Sequence, residues 1–85
     1  MDNPNDWIKI IERRANAATP GPWISHVEGR DFTSGSSFIQ TASDGIEMAG
    51  ATPADQDFIA HARQDVLLLI KEIRRLCILA KLPSP

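Results

Sequence analysis

The stretch from Thr52 to Leu82 limits this chain more than any other, because its apolar residues recur by threes and fours as a long amphipathic helix requires. Thr52-Pro53-Ala54-Asp55 opens it with an N-cap Thr, a Pro at the first helical position and an acid at the third, a variant of the capping box. A helix over 53–81 follows, and the whole stretch would measure roughly 45 Å at 1.5 Å per residue. Phe58, Ile59, Ala62, Val66, Leu69, Ile70, Ile73, Leu76, Cys77 and Ala80 form the seam expected to face the core. Leu67, Leu68, Ile78 and Leu79 lie off that seam, more apolar surface than one small subunit can cover, and predict an oligomer interface. Asp65 ahead of an apolar run can cap a new helix, so Gln64-Asp65 marks a place where the helix can kink.

A spine of that length within 85 residues leaves room for one domain over 1–85, marginal in stability on its own. The single cysteine, Cys77, rules out an internal disulfide and falls short of a cysteine zinc site, which points to a reducing compartment and leaves self-association as the remaining support. Nine Lys and Arg against eleven Asp and Glu give a net charge of −2, against the basic stripe of a DNA-binding domain. The start, Met-Asp-Asn-Pro-Asn-Asp, has no secretory pattern, and the longest apolar run, Val66 to Ile70, is too short to span a bilayer. The expectation is a soluble, cytoplasmic protein with no DNA or membrane partner.

Asn3-Pro4-Asn5-Asp6 reads as a helix start, and a helix over 4–17 follows. Trp7, Ile8, Ile11, Ala15 and Ala18 make its apolar face, with Lys9, Glu12, Arg13 and Asn16 opposite. Pro20 and Gly21-Pro22 end it in a turn. A meander occupies 23–49: strands at Trp23 to Val27, Ser37 to Ala42 and Ile46 to Ala49, with a polar, mobile loop over 28–36 and a tight turn at Ser43-Asp44-Gly45. The fold class is α+β, an N-terminal helix and a long C-terminal helix on one face of a three-stranded antiparallel β-meander, since so small a sheet needs helical cover.

Asp57, His61 and Asp65 stand four apart on one helical face, where two carboxylates beside an imidazole could bind a metal or orient a base; a solvated face explains them as well, and no metal or cofactor is expected. Arg63 beside Asp65 can take a phosphate in bidentate fashion or form a surface ion pair. Trp23 is a core plug or an aromatic platform. Arg30, in the Gly29-Arg30-Asp31 loop, could close over an anion or stay in solvent. His26 and Ser34 to Ser37 carry no nucleophile-elbow or phosphate-loop pattern, so an enzyme is not expected.

Ala17-Ala18-Thr19-Pro20-Gly21-Pro22-Trp23, taken with Asp57-Phe58-Ile59-Ala60-His61-Ala62-Arg63-Gln64-Asp65-Val66, resembles small phage and prophage proteins of the Ead-like family. In these a short helix ends at a Thr-Pro-Gly-Pro-Trp turn and a sheet leads to a Phe-Ile-Ala-x-Ala-Arg-x-Asp helix. The resemblance covers most of the chain and implies phage origin and a compact αβββα domain. Many relatives carry a Pro after the Asp-Val step, where this chain has Leu67. Small phage proteins of mixed helix and sheet also include anti-defence sponges that sequester cyclic nucleotide or cyclic ADP-ribose signals of the Thoeris and CBASS systems. By that analogy the expectation is a homo-oligomeric sponge in the infected host. It would bind its nucleotide through Arg63, Asp65, His61 and Arg30, with Trp23 or Phe38 stacking on it; the alternative is a module that inhibits a host protein through the C-terminal helix.

Overall fold

The structure, a computed structural model, describes residues 6–82. Its elements are α1 (Asp6–Ala17), β1 (Ile24–His26), β2 (Phe38–Gln40), β3 (Gly45–Glu47) and α2 (Pro53–Leu79), the α+β order expected. The cap proposed at Asn3 to Asn5 lies outside the described residues. The described chain forms two compact units, one of residues 19–64 and one of residues up to 18 with those from 65 onward. The boundary falls at the Gln64-Asp65 step, yet α2 is continuous through it. Leu67, unlike a proline, keeps the backbone N–H that the helical ladder needs at this point.

The unit of residues 19–64 holds the sheet, ordered β1-β2-β3 and antiparallel throughout. Ser25, Ile39 and Ile46 stand opposite one another on one face; His26, Phe38 and Glu47 do so on the other. The strands are three residues each, shorter than the sequence pattern suggests. Turn chemistry sets their limits. Thr41 N–H and Oγ1 both donate to Asp44 O, at 2.7 and 3.0 Å, and Asp44 N–H donates back to Thr41 Oγ1 at 3.1 Å. Thr41 is thereby buried in the turn rather than continuing β2. A side chain on Gly45 would meet the Phe38 ring at 3.2 Å, so glycine lets β3 begin directly across from Gln40.

The loop after β1 is held more firmly than its polarity suggests. Asp31 Oδ2 accepts from Val27 N–H at 2.8 Å, Asp31 N–H donates to Val27 O at 2.8 Å, and Gly29, at φ 83, donates to Phe32 O at 2.8 Å.

The first part of α2 begins at the expected cap, with Asp55 N–H donating to Thr52 Oγ1 at 3.1 Å and Thr52 N–H to Asp55 Oδ2 at 3.2 Å. Its inward line is Gln56 and Ala60, both almost fully buried, then Arg63 and Gln64, half-buried. This corrects the expected seam, for Phe58 is 75% exposed and Ile59 is exposed as well. The physical reason is backbone demand. Gln56 Nε2 donates to His26 O at 3.0 Å and Phe38 O at 2.9 Å, while Gln64 clamps Trp23 at both backbone groups, accepting from N–H at 2.9 Å and donating to O at 3.3 Å. Gln56 and Gln64 thus meet main-chain groups of the strands and of the Trp23 turn, and the helix turns these polar side chains inward to reach them.

In the other unit Ile8 of α1 and Ile70 of α2 are the buried apolar side chains, with Leu67, Ile73 and Cys77 half-buried. Glu12, expected on the solvent side, is half-buried and takes Arg74 in a bidentate pair at 2.6 and 2.9 Å. Trp7, an expected core residue, is 55% exposed. Leu69 and Leu76, also expected inside, are exposed. The α1 helix belongs to this unit, whereas the side chains that tie helix to strand come from the first part of α2.

The end of α2 is a Schellman arrangement: Leu82 N–H donates to Cys77 O at 2.7 Å and Lys81 N–H to Ile78 O at 3.1 Å, with Lys81 left-handed at φ 58.

Candidate functional site

Two places hold the polar residues singled out from the sequence. At the first, Arg63 and Trp23 converge on one atom: Arg63 Nε donates to Thr19 O at 3.0 Å and Trp23 Nε1 donates to the same oxygen at 2.9 Å. The Gly21-Pro22 peptide between them is cis, and a side chain on Gly21 would meet Gln64 Oε1 at 3.3 Å and Arg63 Cγ at 3.7 Å. The Thr-Pro-Gly-Pro-Trp turn and the Ala-x-Ala-Arg helix therefore meet in space. Trp23, half-buried, serves as a plug against the helix more than as an open platform. Arg63 commits one N–H to the turn and retains the outer amino groups of its guanidinium.

At the second place Arg30 is engaged by two carboxylates. It meets Asp57 in a bidentate pair at 2.8 and 3.0 Å and Asp31 through Nε and Nη2 at 2.9 to 3.3 Å. The Arg30 guanidinium holds the Asp57 carboxyl down at about 2, and it also lowers Asp31, helped by the Val27 N–H. The two carboxylates in turn raise the already high pKa of Arg30. The Ser25 hydroxyl contributes next to Asp57, but its oxygen is buried outside hydrogen-bonding geometry with any neighbour, so Arg30 is the decisive partner. With two anions on one cation, this cluster carries no spare positive charge for a phosphate. Arg30 pins the loop to α2 instead.

His61 is exposed on α2, one helical turn after Asp57. Phe38 stacks on His26 with ring centroids 4.8 Å apart at 21°, and His26 Nε2 lies 2.9 Å from Gln40 Oε1. Phe32 tilts against Phe38 at 6.0 Å. Phe38 also lines a shallow hollow of about 450 Å³ with Gln40, Thr41, Ser43 and Asp44, in which no described residue is a cation. Asp65 belongs to the other unit. Among the described residues no group of three or more His, Cys, Asp or Glu side chains is placed to hold a metal ion.

The more conspicuous surface is on α2 from residue 65 onward. Leu68 is 62% exposed, Leu79 66% and Ile78 70%, with Leu69, Leu76 and Leu82 also exposed. Asp65, Leu68, Leu69, Lys71, Glu72 and Arg75 line a groove of about 660 Å³. Arg75 Nε donates to Glu72 Oε2 at 2.9 Å across its middle. Of the expected interface residues, Leu68, Ile78 and Leu79 stand on the surface, and Leu67 is half-buried. No described helix is long and apolar enough to cross a membrane.

Fold and surface together define a small α+β protein with an apolar helix face. No protein-family model, curated protein or solved structure matches the chain.

Proposed function

We propose that this chain is a non-enzymatic phage accessory protein of the Ead-like type, cytoplasmic in the infected host, which acts by docking protein on the exposed face of α2. The observation that carries this reading is the run of exposed Leu68, Leu69, Leu76, Ile78 and Leu79 in a molecule whose buried apolar side chains are few. Each such side chain left in water forfeits on the order of 1 kcal/mol of burial, and exposed apolar side chains gathered on one helix are the mark of a binding surface. The Thr19-Pro20-Gly21-Pro22-Trp23 turn packed on Arg63 and Gln64 supports the phage-type resemblance, since both motifs serve one joint. The test is retention of host proteins, and of a differently tagged copy, by the wild type and by Leu68→Glu/Leu79→Glu. A partner lost with the variant is the expected result. Identical retention by both overturns the reading.

A second reading, sequestration of a nucleotide-derived immune signal without cleavage, rests on Arg63. Its remaining amino groups beside Trp23 suit a phosphate. Arg30 lends that reading no charge, because Asp31 and Asp57 occupy it. Incubation with cyclic dinucleotides, cyclic trinucleotides and cyclic ADP-ribose isomers, followed by heat release, should return one of them intact from the wild type and none from Arg63→Glu. Binding of none of them removes this reading, and recovery of a cleaved product would favour an enzyme.

A further inference from the structure

The exposed face of α2 has an order that identifies its occupant. Leu68, Glu72, Arg75 and Leu79 follow one another at intervals of four, three and four within α2, the spacing of a two-helix seam. The series reads symmetrically about a point between Ile73 and Arg74. From that point Glu72 and Arg75 are equidistant, and so are Leu68 and Leu79.

Resting on the reading of this face as a protein-docking surface, we infer that its occupant is a second copy of the same chain, packed antiparallel about a two-fold axis at Ile73–Arg74, with Glu72 facing Arg75 of the second copy.

Charge decides the direction. In an antiparallel pair the two kinds of seam position face each other, so Glu72 meets the second copy's Arg75 twice by symmetry, and Leu68 meets Leu79 twice. A parallel pair would set Glu72 against Glu72 and Arg75 against Arg75, both repulsive. Each Glu72 already accepts from its own Arg75, so the antiparallel pair closes a ring of four alternating charges flanked by leucine layers. Leu69 and Leu76 lie to one side of the seam, at positions that approach each other across the axis and widen the apolar strip. The two-fold operator also explains why one helix carries both halves of a complementary surface, which a face evolved for an unrelated protein has no reason to do.

The pairing is read by sedimentation equilibrium on the full chain. The wild type should be a dimer; Glu72→Arg and Arg75→Glu should each weaken it at least tenfold, and the double swap should restore it. Circular dichroism on each variant separates loss of pairing from loss of fold. Direction is read in a Cys77→Ser background by mixing Leu68→Cys with Leu79→Cys, where the mixed disulfide should dominate. A monomeric wild type, a dimer indifferent to the swaps, or a Leu68→Cys chain that crosslinks mainly to itself overturns the inference. A wild-type monomer leaves the docking reading standing for another protein, whereas equal retention by Leu68→Glu/Leu79→Glu removes the docking reading itself.

Discussion

At the scale of single residues, polar side chains hold the strands to the helix. Gln56 is buried with its amide on two strand carbonyls, so Gln56→Leu removes both of these hydrogen bonds from a buried site. The expected loss is about 1–3 kcal/mol in urea denaturation, and a change under about 0.5 kcal/mol would contradict this role. Asp57 offers a pH test. Its folded carboxyl lies at about 2, below the ordinary 3.8, so the stability it contributes is fully present above the ordinary value and is lost as pH falls from there toward 2. Asp31 and Glu12, lowered by Arg30 and Arg74, act in the same sense. The thermal midpoint should therefore drop between about pH 5 and pH 2, and Asp57→Asn should show a smaller drop than the wild type over that range. Equal drops in the two proteins would exclude Asp57 from the acid response.

These residue roles were the least legible part of the sequence. Apolar periodicity marks Phe58 and Ile59 as core, because counting apolar residues cannot register that short strands expose main-chain carbonyls needing an amide. Gln56 and Gln64, which meet that need, read in the sequence as side chains that face water. Arg30 reads as an available cation until Asp31 and Asp57, one and twenty-seven positions away, are found on its guanidinium. The convergence of Arg63 and Trp23 had a signal, the pairing of the two resembling motifs, although spacing along the chain does not disclose the shared Thr19 carbonyl.

At the scale of elements, boundaries follow caps and turns. The Thr52–Asp55 box and the Pro20-Gly21-Pro22 stop were visible in the sequence because they depend on neighbouring residues alone. The C-terminal end of α2 was not, since a Schellman end usually shows a glycine and here Lys81 holds the left-handed position. Lys81→Gly should accordingly raise stability by about 0.5–1 kcal/mol at fixed protein concentration, and a loss would show that the lysine stem matters more than its backbone. The meander was legible because strict alternation and an Asp-Gly turn have few other solutions, while the strand lengths were not, because Thr41 turns its hydroxyl back into the turn.

At the scale of the whole molecule, a small α+β chain buries few apolar side chains and leaves an ordered row of them on the surface. The sequence already carries the surplus, since Leu68 and Leu79 fall off any seam that Ile70 belongs to. The symmetry of that row emerges only after exposure separates Glu72 and Arg75 from the half-buried Arg74, which is paired with Glu12. Self-pairing of α2 makes the protein's mass depend on two exposed charges. The most direct measurement is the solution mass of four proteins, the wild type, Glu72→Arg, Arg75→Glu and the double swap, by sedimentation equilibrium across a concentration series. Twice the chain mass for the wild type and the double swap, with the single swaps dissociating at concentrations at least tenfold higher, is the predicted result; one chain mass for the wild type, or four indistinguishable curves, would contradict it.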